Sequence, residues 1–565
     1  MAANFFQGTD FKMAPDAIYF VPLGGCGFFG ANMALYGYRG KWIMVDCGMG
    51  FADETMPGVD VLLPDPSFAV DLGEDLLAIV LTHGHEDHIG AIRELWPRLR
   101  KPLYATKFTA ERIRMAIDEH TWGPQARIHE VPQQGKLELG PFGIQYIRMA
   151  HSIPEANSLA ITVKEVGTIL HTGDWKLDPD PVEGDVTDEK ELVKLGDAGV
   201  LAVIGDSTNA MVPGHSGSER TVQKNLIDLF GEFKDKIAIT CFATNVSRLR
   251  SIYEAAEVNH RRVCLVGRSL WKTDEVARKS GYLKTVRPFI DEDEAGLLDD
   301  NKVVYICTGS QGEPRSALSR ISSEDHPRVG LRADDVIIFS SRAIPGNERA
   351  IDRVKNRFYA AGVNVITDRD APVHVSGHPY REELKQLYKW TRPQIVIPVH
   401  GEQMQMEKHA ALARECGVGQ AIIPSNGKII EIAKEGIASY MGDVKSGILA
   451  VEGGRVVAID HEAILTRKRM MFNGSAVVTV VIDDHGKLAA DPKVTALGLL
   501  DENSELDAQH IQDVVKEIKN VIKNLPKEQR GDDEALSELI RVTARRFFNE
   551  RFDRKPQTRV HLVRI

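Results

Sequence analysis

The sequence has few cysteines and no paired cysteine motif. Its 565 residues include six cysteines, and no two of them form a CxxC pair. Single scattered thiols are typical of reduced intracellular proteins, whereas disulfide frameworks and thiolate zinc sites need closely spaced pairs. We therefore exclude a secreted disulfide scaffold and a zinc finger, and we expect a cytoplasmic protein.

Long apolar runs are also lacking. No stretch of the sequence approaches the roughly 20 apolar residues that a membrane-spanning helix needs. The first residues, "MAANFFQGTDFKMAPDA", contain no basic segment followed by an apolar core, so we expect no signal peptide. The hydrophobic content of 43% is ordinary for a globular protein with large cores.

The sequence has no excess of positive charge. Its formal net charge is −10, whereas a protein that binds nucleic acid usually carries a basic surface. Basic residues do cluster locally, as in "SRLRS" (247–251) and "RVTARRFFNERFDRK" (541–555). The overall charge therefore counts only mildly against nucleic-acid binding, which would need a local positive cleft.

Predicted strands and helices divide the chain into four pieces. Residues 1–212 are rich in short strands, and residues 213–364 alternate strands with helices, which is typical of parallel α/β structure. Residues 365–447 resume the pattern of the first piece, with a strand in "QIVIPVHGE". Residues 448–565 predict a linker and a separate small α+β domain.

The most informative stretch is "LTHGHEDHIG", residues 81–90, between an apolar strand and a predicted helix. Its candidate ligands are His83, His85, Asp87 and His88. Zinc binds imidazole and carboxylate groups, and so many ligands in six residues suit two ions better than one. Two ions about 3.5–4 Å apart can activate water and hold the oxygens of a substrate. A solvated charged turn is the alternative, but an HxHxDH pattern at such a junction rarely arises by chance.

Three further candidates lie directly after predicted strands, where α/β proteins place functional groups. They are His151 after "GIQYIRMA", Asp174 at the end of "TILHTGD", and His400 at the end of "QIVIPVH". A single histidine after a strand is more often structural. We place His129 and His171 in that structural class.

These residues together resemble the metallo-β-lactamase superfamily, whose hallmark is HxHxDH followed by a His, an Asp and a final His. The long segment between Asp174 and His400 resembles the inserted domain of the β-CASP nucleases. The segments "VIGDSTN", "HVSGH", "PVHGE", "CTGSQGEP" and "SRAIPGNE" are similar to those of the bacterial ribonuclease J family. The resemblance implies an α/β fold: an αββα metallo-β-lactamase sandwich, an inserted α/β β-CASP domain and a small C-terminal α+β domain.

The resemblance also implies a cofactor and its ligands. It implies two Zn²⁺ ions, with Mn²⁺ as an alternative because it accepts the same nitrogen and oxygen donors. Three residues would hold one ion: His83, His85 and His151. Three others would hold the second ion: Asp87, His88 and His400. Asp174 would bridge the two ions, and Asp206 would orient a ligand or the reactive water.

By the same resemblance, the HVSGH segment (residues 374–378) would meet the RNA. His378 is the candidate acid for the leaving oxygen. Because Pro379 suits the first position of a helix, we expect His378 at its N-terminus, charged mainly once a phosphate is bound. His374, Ser376 and Gly377 would contribute to a phosphate cradle.

Two residues outside this segment complete the expected RNA contacts. Phe51 would stack on a base, although a core position is the commoner fate of a phenylalanine. Arg342 would pair with a phosphate, with a plain surface arginine as the equal alternative.

The implied activity is that of a zinc-dependent ribonuclease acting 5′ to 3′ on RNA with a 5′-monophosphate, with endonuclease activity as a second mode. The implied setting is mRNA decay and rRNA maturation, by a homodimer or homotetramer with decay-complex partners. The alternatives are a small-molecule metallo-hydrolase, a DNA-acting β-CASP nuclease and a non-catalytic RNA-binding scaffold. The inserted domain and the HVSGH segment count against the first, and the complete ligand set counts against the last.

Overall fold

The computed structural model describes residues 13–53, 55–501, 503–526 and 529–565. Residues 1–12 of the N-terminal stretch considered above lie outside the described residues. Among the residues that the structure describes, no helix is both long and apolar enough to cross a bilayer.

The secondary structure is a long series of short strands and helices. The strands are β1 (Ala17–Gly24), β2 (Met33–Tyr38), β3 (Lys41–Val45), β4 (Gly50–Phe51), β5 (Val61–Pro64), β6 (Leu76–Val80), β7 (Leu103–Ala105), β8 (Ile128–Glu130), β9 (Lys136–Leu139), β10 (Phe142–Arg148), β11 (Asn157–Val163), β12 (Gly167–His171), β13 (Ala202–Asp206), β14 (Ile237–Thr240), β15 (Arg262–Val266), β16 (Val303–Cys307), β17 (Val336–Phe339), β18 (Asn364–Ile366), β19 (Ile395–Val399), β20 (Gln420–Ala421), β21 (Lys428–Ala433), β22 (Ile437–Asp443), β23 (Ile448–Glu452), β24 (Arg455–Ala458), β25 (Ser475–Ile482), β26 (Lys493–Thr495) and β27 (Gln557–Arg564). The α-helices are α1 (Ser67–Asp71), α2 (Glu86–Ile89), α3 (Ile92–Leu99), α4 (Lys107–Ile117), α5 (Glu189–Ala198), α6 (Glu219–Glu232), α7 (Val246–Val258), α8 (Arg268–Ser280), α9 (Glu292–Ala295), α10 (Ala317–Ser322), α11 (Glu348–Ala360), α12 (Arg381–Thr391), α13 (Gln403–Glu415), α14 (Glu462–Asn473), α15 (Glu505–Asn524) and α16 (Asp533–Phe552).

The chain forms two compact units. The larger unit comprises the described residues of 1–51 and 62–448, and the smaller unit comprises those of 52–61 and 449–565.

A sandwich of two sheets forms the centre of the larger unit. The first sheet has the order β22-β21-β1-β2-β3-β6-β7-β8, and the second has the order β20-β19-β13-β12-β11-β10-β9. Apolar side chains of both sheets, such as Phe20 and Tyr36 from the first and Tyr146 and Ile161 from the second, share one buried cluster. Helices α5, α12 and α13 pack on the outer face of the second sheet. These faces account for the two sheets and one helical layer of the expected αββα sandwich.

The ends of parallel strands place the candidate ligands at one edge of this sandwich. Strands β3, β6, β7 and β8 run parallel in the first sheet, and β12, β13 and β19 run parallel in the second. Asp206 at the end of β13 is in register with Val399, the residue before His400. Because the carboxyl ends of parallel strands lie together, the loops that follow them can share one site.

A parallel sheet is inserted in the chain between Asp206 and the HVSGH segment. Its order is β15-β16-β14-β17-β18, and all its strand pairs are parallel. Both faces are buried, as parallel sheets require. Ile237 and Ile239 pack with α6 and α7 on one face, and Ala238 packs in the cluster of α10 and α11 on the other. The prediction of alternating strands and helices is confirmed here.

The smaller unit has a sheet with the order β26-β25-β27, in which β25 is antiparallel to β26 and parallel to β27. Helices α15 and α16 cover one face, where Val480, Ile518 and Phe548 are fully buried in a common core. This is the α+β arrangement expected for the C-terminal piece. The residue boundaries of the four pieces stay a prediction.

Candidate dinuclear metal centre

The loop after β6 and the short helix α2 carry four of the candidate ligands. His83 and His85 precede α2, and Asp87 and His88 lie within it. Backbone contacts fix this helix: the Cys47 N–H donates to the His88 carbonyl at 2.8 Å, and the Asn32 N–H donates to the Asp87 carbonyl at 3.0 Å. A Cβ atom at Gly48 would lie 1.6 Å from the Asp87 carbonyl oxygen. Glycine is therefore required for this close approach.

Three histidines and one aspartate form a first group of donor atoms. His85 Nδ1 lies 3.1 Å from His83 Nε2 and 3.0 Å from His151 Nε2. Asp174 Oδ2 lies 3.7 Å from His83 Nε2 and 3.9 Å from His151 Nε2. These donor atoms all lie within 4.8 Å of one another, which is the spacing of ligands around one ion.

Burial favours the neutral form of the imidazoles in this group. Burial holds the pKa of His83 and His85 well below the usual value, and burial lowers the pKa of His151 to about 4. A neutral imidazole has a free lone pair, which is the form that binds a metal. The first group is thus prepared for a cation without loss of protons.

A second group shares Asp174 with the first. Its donor residues are Asp87, His88, Asp174 and His400, again within 4.8 Å of one another. His88 Nε2 lies 3.2 Å from Asp174 Oδ2, and His400 Nε2 lies 3.1 Å from Asp87 Oδ2. Burial raises the pKa of Asp174, but the charges of His400 and His88 outweigh it and hold that pKa well below its usual value.

These residues fit two divalent ions. Asp174 Oδ1 is buried, yet it accepts no hydrogen bond from the part of the chain that the structure describes. A buried carboxylate oxygen without a donor is costly unless a cation is its partner. The donor sets of nitrogen and oxygen suit zinc and also manganese, so the residues define a divalent-metal site without selecting one of these ions.

Apart from Asp206, the outer partners of the ligands were not expected from the sequence. The Asp46 carboxylate accepts from the Thr82 N–H at 2.8 Å and lies 2.7 Å from His88 Nδ1. Such contacts fix the orientation of a ligating imidazole. Asp46 follows strand β3 directly, so the strand-end rule that selected Asp174 could have identified it.

Two more outer partners hold ligands through their second ring nitrogens. Thr208 Oγ1 lies 2.8 Å from His400 Nδ1. The Gly377 carbonyl lies 2.5 Å from His151 Nδ1. A Cβ at Gly377 would lie 2.9 Å from His151 Cε1, so the HVSGH segment needs glycine here to approach the ligand.

Asp206 lies between His378 and His400. Its Oδ2 is 2.8 Å from His378 Nδ1, and its Oδ1 is 3.4 Å from His400 Nδ1. Burial raises the pKa of Asp206, but His378 outweighs it and keeps that pKa well below its usual value. Burial conversely lowers the pKa of His378, and the Asp206 carboxylate outweighs it, so the net change is upward.

The expectation that Pro379 begins a helix is wrong. Helix α12 begins at Arg381, and the Tyr380 N–H donates to Glu383 Oε2 at 2.7 Å. The Glu383 carboxylate, three residues after Tyr380, thus supplies the cap that we had assigned to a position near His378. The Asp206 carboxylate raises the pKa of His378 without any contribution from a helix end, and the effect of a bound phosphate stays a prediction.

The HVSGH segment lies beside the candidate ligands. Ser376 Oγ accepts from Asn209 Nδ2 at 2.8 Å and from the His378 N–H at 3.1 Å. The pKa of His374 is well below its usual value because of burial, with Arg248 adding to the effect. His374 would therefore meet a phosphate as a neutral hydrogen-bond donor. Its phosphate contact, like those of Ser376 and Gly377, stays a prediction.

Phe51 and Arg342 differ in how free their side chains are. Phe51 is 65% exposed, so its alternative assignment to the core is wrong. Arg342 already pairs with Asp368 at 3.0 Å and donates to the Tyr380 hydroxyl at 2.7 Å. The stacking role of Phe51 and the phosphate contact of Arg342 stay predictions.

Four family models match consecutive parts of the chain. They are the metallo-β-lactamase superfamily (residues 26–229), the ribonuclease J β-CASP domain (234–358), the Zn-dependent metallo-hydrolase RNA specificity domain (362–424) and the ribonuclease J C-terminal domain (462–565). These matches confirm the expected fold class.

Curated relatives match over most of the chain. Ribonuclease J of Sinorhizobium meliloti is 39% identical over 560 residues, which cover 98% of both chains. Ribonuclease J of Corynebacterium glutamicum is 37% identical, over 96% of this chain and 76% of the relative. Ribonuclease J of Thermus thermophilus is 36% identical, over 82% of each.

Among solved structures, a protein of unknown function from Enterococcus faecalis aligns with a TM-score of 0.51 at 15% identity, over 74% of this chain and 100% of that chain. This likeness concerns the fold alone.

Proposed function

This chain belongs to the ribonuclease J family of metal-dependent ribonucleases, and we propose that it degrades single-stranded RNA 5′ to 3′ from a 5′-monophosphate, with two Zn²⁺ ions as cofactors. The observation that carries the proposal is that the donor groups of His83, His85 and His151 and of Asp87, His88 and His400 share Asp174. A third group, formed by Asp174, Asp206, His378 and His400, overlaps the second. The first group adjoins the HVSGH segment through the contact between His151 and the Gly377 carbonyl.

The proposed chemistry divides the work between the ions and the side chains. Two divalent ions, when bound, would activate water and neutralise charge on the phosphoryl oxygens. His83, His85 and His151 would hold one ion, and Asp87, His88 and His400 the other, with Asp174 between them. The outer contacts of Asp46 and Thr208 would keep His88 and His400 in their orientation.

His378 is the proposed acid for the leaving 3′-oxygen. Its Nδ1 faces Asp206, so Nε2 would deliver the proton. The Asp206 carboxylate raises the pKa of His378, which favours the protonated imidazole that an acid must be. Asp206 thereby assists the acid as well as orienting His400.

A cavity beside the site supports the proposed preference for 5′-monophosphate ends. The lining of this cavity includes His151, Ser152, Ser247 and Ser376. Hydroxyl groups and backbone N–H groups near Gly377 would hold the terminal phosphate there.

The cellular setting is proposed from the family alone. We propose cytoplasmic mRNA decay and rRNA maturation, a homodimer or homotetramer, decay-complex partners, and endonuclease cleavage as a second mode. The domain boundaries given from the sequence are part of the same proposal.

One RNA in three forms tests the proposal: 5′-monophosphate, 5′-triphosphate and 5′-hydroxyl. Each form is incubated with metal-loaded protein and with an Asp87→Ala/His88→Ala variant, and the products are sized on a gel. We expect mononucleotides from the monophosphate form alone, and none with the variant. Internal fragments from all three forms would contradict the proposed preference for a 5′-monophosphate. Intact RNA in every form, after incubation with protein that holds two metal ions, would contradict the proposed ribonuclease activity.

A further inference from the structure

Arg248 is a buried arginine of the inserted domain that none of the proposed chemistry uses. It lies in α7, and its side chain has no exposed surface. Its guanidinium donates from Nε and Nη2 to the two carboxylate oxygens of Glu219, at 2.6 and 2.9 Å. This two-point contact fixes the plane of the guanidinium as a single bond could not.

The remaining nitrogen of Arg248 holds the chain just before the HVSGH segment. Nη1 donates to the Ser340 carbonyl at 2.7 Å, to Ser340 Oγ at 2.6 Å and to the Val373 carbonyl at 3.1 Å. Ser340 Oγ in turn donates to the same Val373 carbonyl at 2.6 Å. The residue that precedes His374 is thus held by two donors.

Glu219 connects this arginine with the strand end that carries Asp174. The Glu219 N–H donates to Asp178 Oδ2 at 2.9 Å, and Asp178 pairs with the buried Lys176 at 2.9 Å. The Lys176 N–H donates to the carbonyl of Ala150 at 2.8 Å. Ala150 directly precedes a candidate ligand in the chain. A continuous series of buried contacts therefore joins the ligand-bearing strand ends to the HVSGH segment.

We propose that Arg248 is a positioning residue: it sets the place of the HVSGH segment, and so of Ser376 and His378, relative to the metal ligands. The proposal rests on the proposed ribonuclease function. A buried ion pair is often no more stabilising than apolar side chains of the same volume. The contacts of Arg248 therefore indicate that its role is to fix the position of Val373.

Arg248→Lys tests this role because it keeps the charge opposite Glu219 but removes the planar fork that also reaches Val373. A displacement of about 1 Å near reacting groups costs roughly 10²-fold in rate. We expect kcat on 5′-monophosphate RNA to fall by about that factor. The ratio of kcat/KM between 5′-monophosphate and 5′-hydroxyl RNA should move towards one, while the metal content stays that of the wild type.

Arg261→Lys is the matched control. Arg261 is also buried in the inserted domain, and its guanidinium donates to the carbonyls of Asp235 at 2.9 Å and Phe233 at 2.6 Å. Its contacts do not reach the HVSGH segment. We expect this variant to lose stability but to keep the wild-type kcat and end preference.

Ser340→Ala is a second, milder variant in case Arg248→Lys does not fold. It removes the hydroxyl between Arg248 and Val373 and leaves the pair with Glu219 intact. We expect a smaller change in the same direction.

The outcomes separate this inference from the proposed function. Wild-type kcat and end preference in Arg248→Lys, or an equal loss in Arg261→Lys, would overturn the positioning role. A wild-type protein that cleaves all three RNA forms equally would instead contradict the proposed end preference. In that case, a lower kcat of Arg248→Lys at unchanged metal content would still support the positioning role.

Discussion

At the scale of single residues, the site depends on second contacts of its histidines. Each of three imidazoles has one ring nitrogen towards the donor groups and the other on a fixed partner: His88 on Asp46, His151 on the Gly377 carbonyl and His400 on Thr208. Such partners fix the ring and its tautomer. His378 has the same arrangement with Asp206, and our proposal assigns its second nitrogen to the substrate.

The first prediction concerns the pH dependence of turnover. An acid must be protonated, so the raised pKa of His378 extends activity towards higher pH. Asp206→Asn removes the carboxylate that raises this pKa. We therefore expect the alkaline limb of the kcat profile to shift to lower pH, as measured on 5′-monophosphate RNA.

His378→Ala is the control for that profile. We expect a fall in kcat of roughly 10²–10⁴-fold, the usual contribution of acid–base catalysis, with the metal content unchanged. Loss of metal in this variant would show that His378 holds the site together rather than acting as the acid. An unchanged alkaline limb in Asp206→Asn would contradict the claim that Asp206 raises the pKa of His378.

At the scale of elements, strand ends could be predicted from the sequence and long-range partners could not. The apolar runs before His83, Asp174 and His400 mark where strands stop, and parallel strands bring such ends together. The contact of His151 with Gly377 joins residues 226 positions apart, and no local pattern contains it. Pro379 predicts an earlier start for α12 than the structure has, because the capping carboxylate of Glu383 places the start at Arg381.

The second prediction concerns that carboxylate. Glu383 is fully buried and accepts from the N–H groups of Leu177, Ser216 and Tyr380. Glu383→Gln turns an NH₂ group towards one or more of these donors. We expect the free energy of unfolding to fall by roughly 1–3 kcal/mol, the cost of an unsatisfied buried polar group, as measured by urea denaturation.

Glu382→Gln on the same helix is the matched control. Glu382 is partly exposed and pairs with Lys385 at the surface, so we expect a change within about 0.5 kcal/mol. Equal effects of the two substitutions would mean that Glu383 does not organise the start of α12.

At the scale of the whole molecule, the protein must attract RNA despite its net charge of −10. The attraction has to come from a local positive cleft, because exposed charges further away than about 10 Å are screened at 0.1 M salt. The fold class could be predicted from the order of strands and helices together with the motifs. The net charge of the sequence, in contrast, does not predict an RNA substrate.

The third prediction follows from this charge distribution. Contacts with phosphates release counterions, so RNA affinity should fall steeply with salt. We expect log Kd for a single-stranded RNA, bound to the inactive Asp87→Ala/His88→Ala variant, to rise linearly with log salt concentration. Affinity that is constant from low to moderate salt would contradict a channel that follows the phosphate backbone.

The central claim is that Asp174 serves two ions at once, and the metal content of an Asp174→Ala variant tests it most directly. Metal per chain would be measured by mass spectrometry in wild type, in Asp174→Ala and in His378→Ala as the control, with folding verified by circular dichroism. The account predicts two ions in wild type and in the control, and loss of both in Asp174→Ala. A folded Asp174→Ala variant that retains two ions would contradict it.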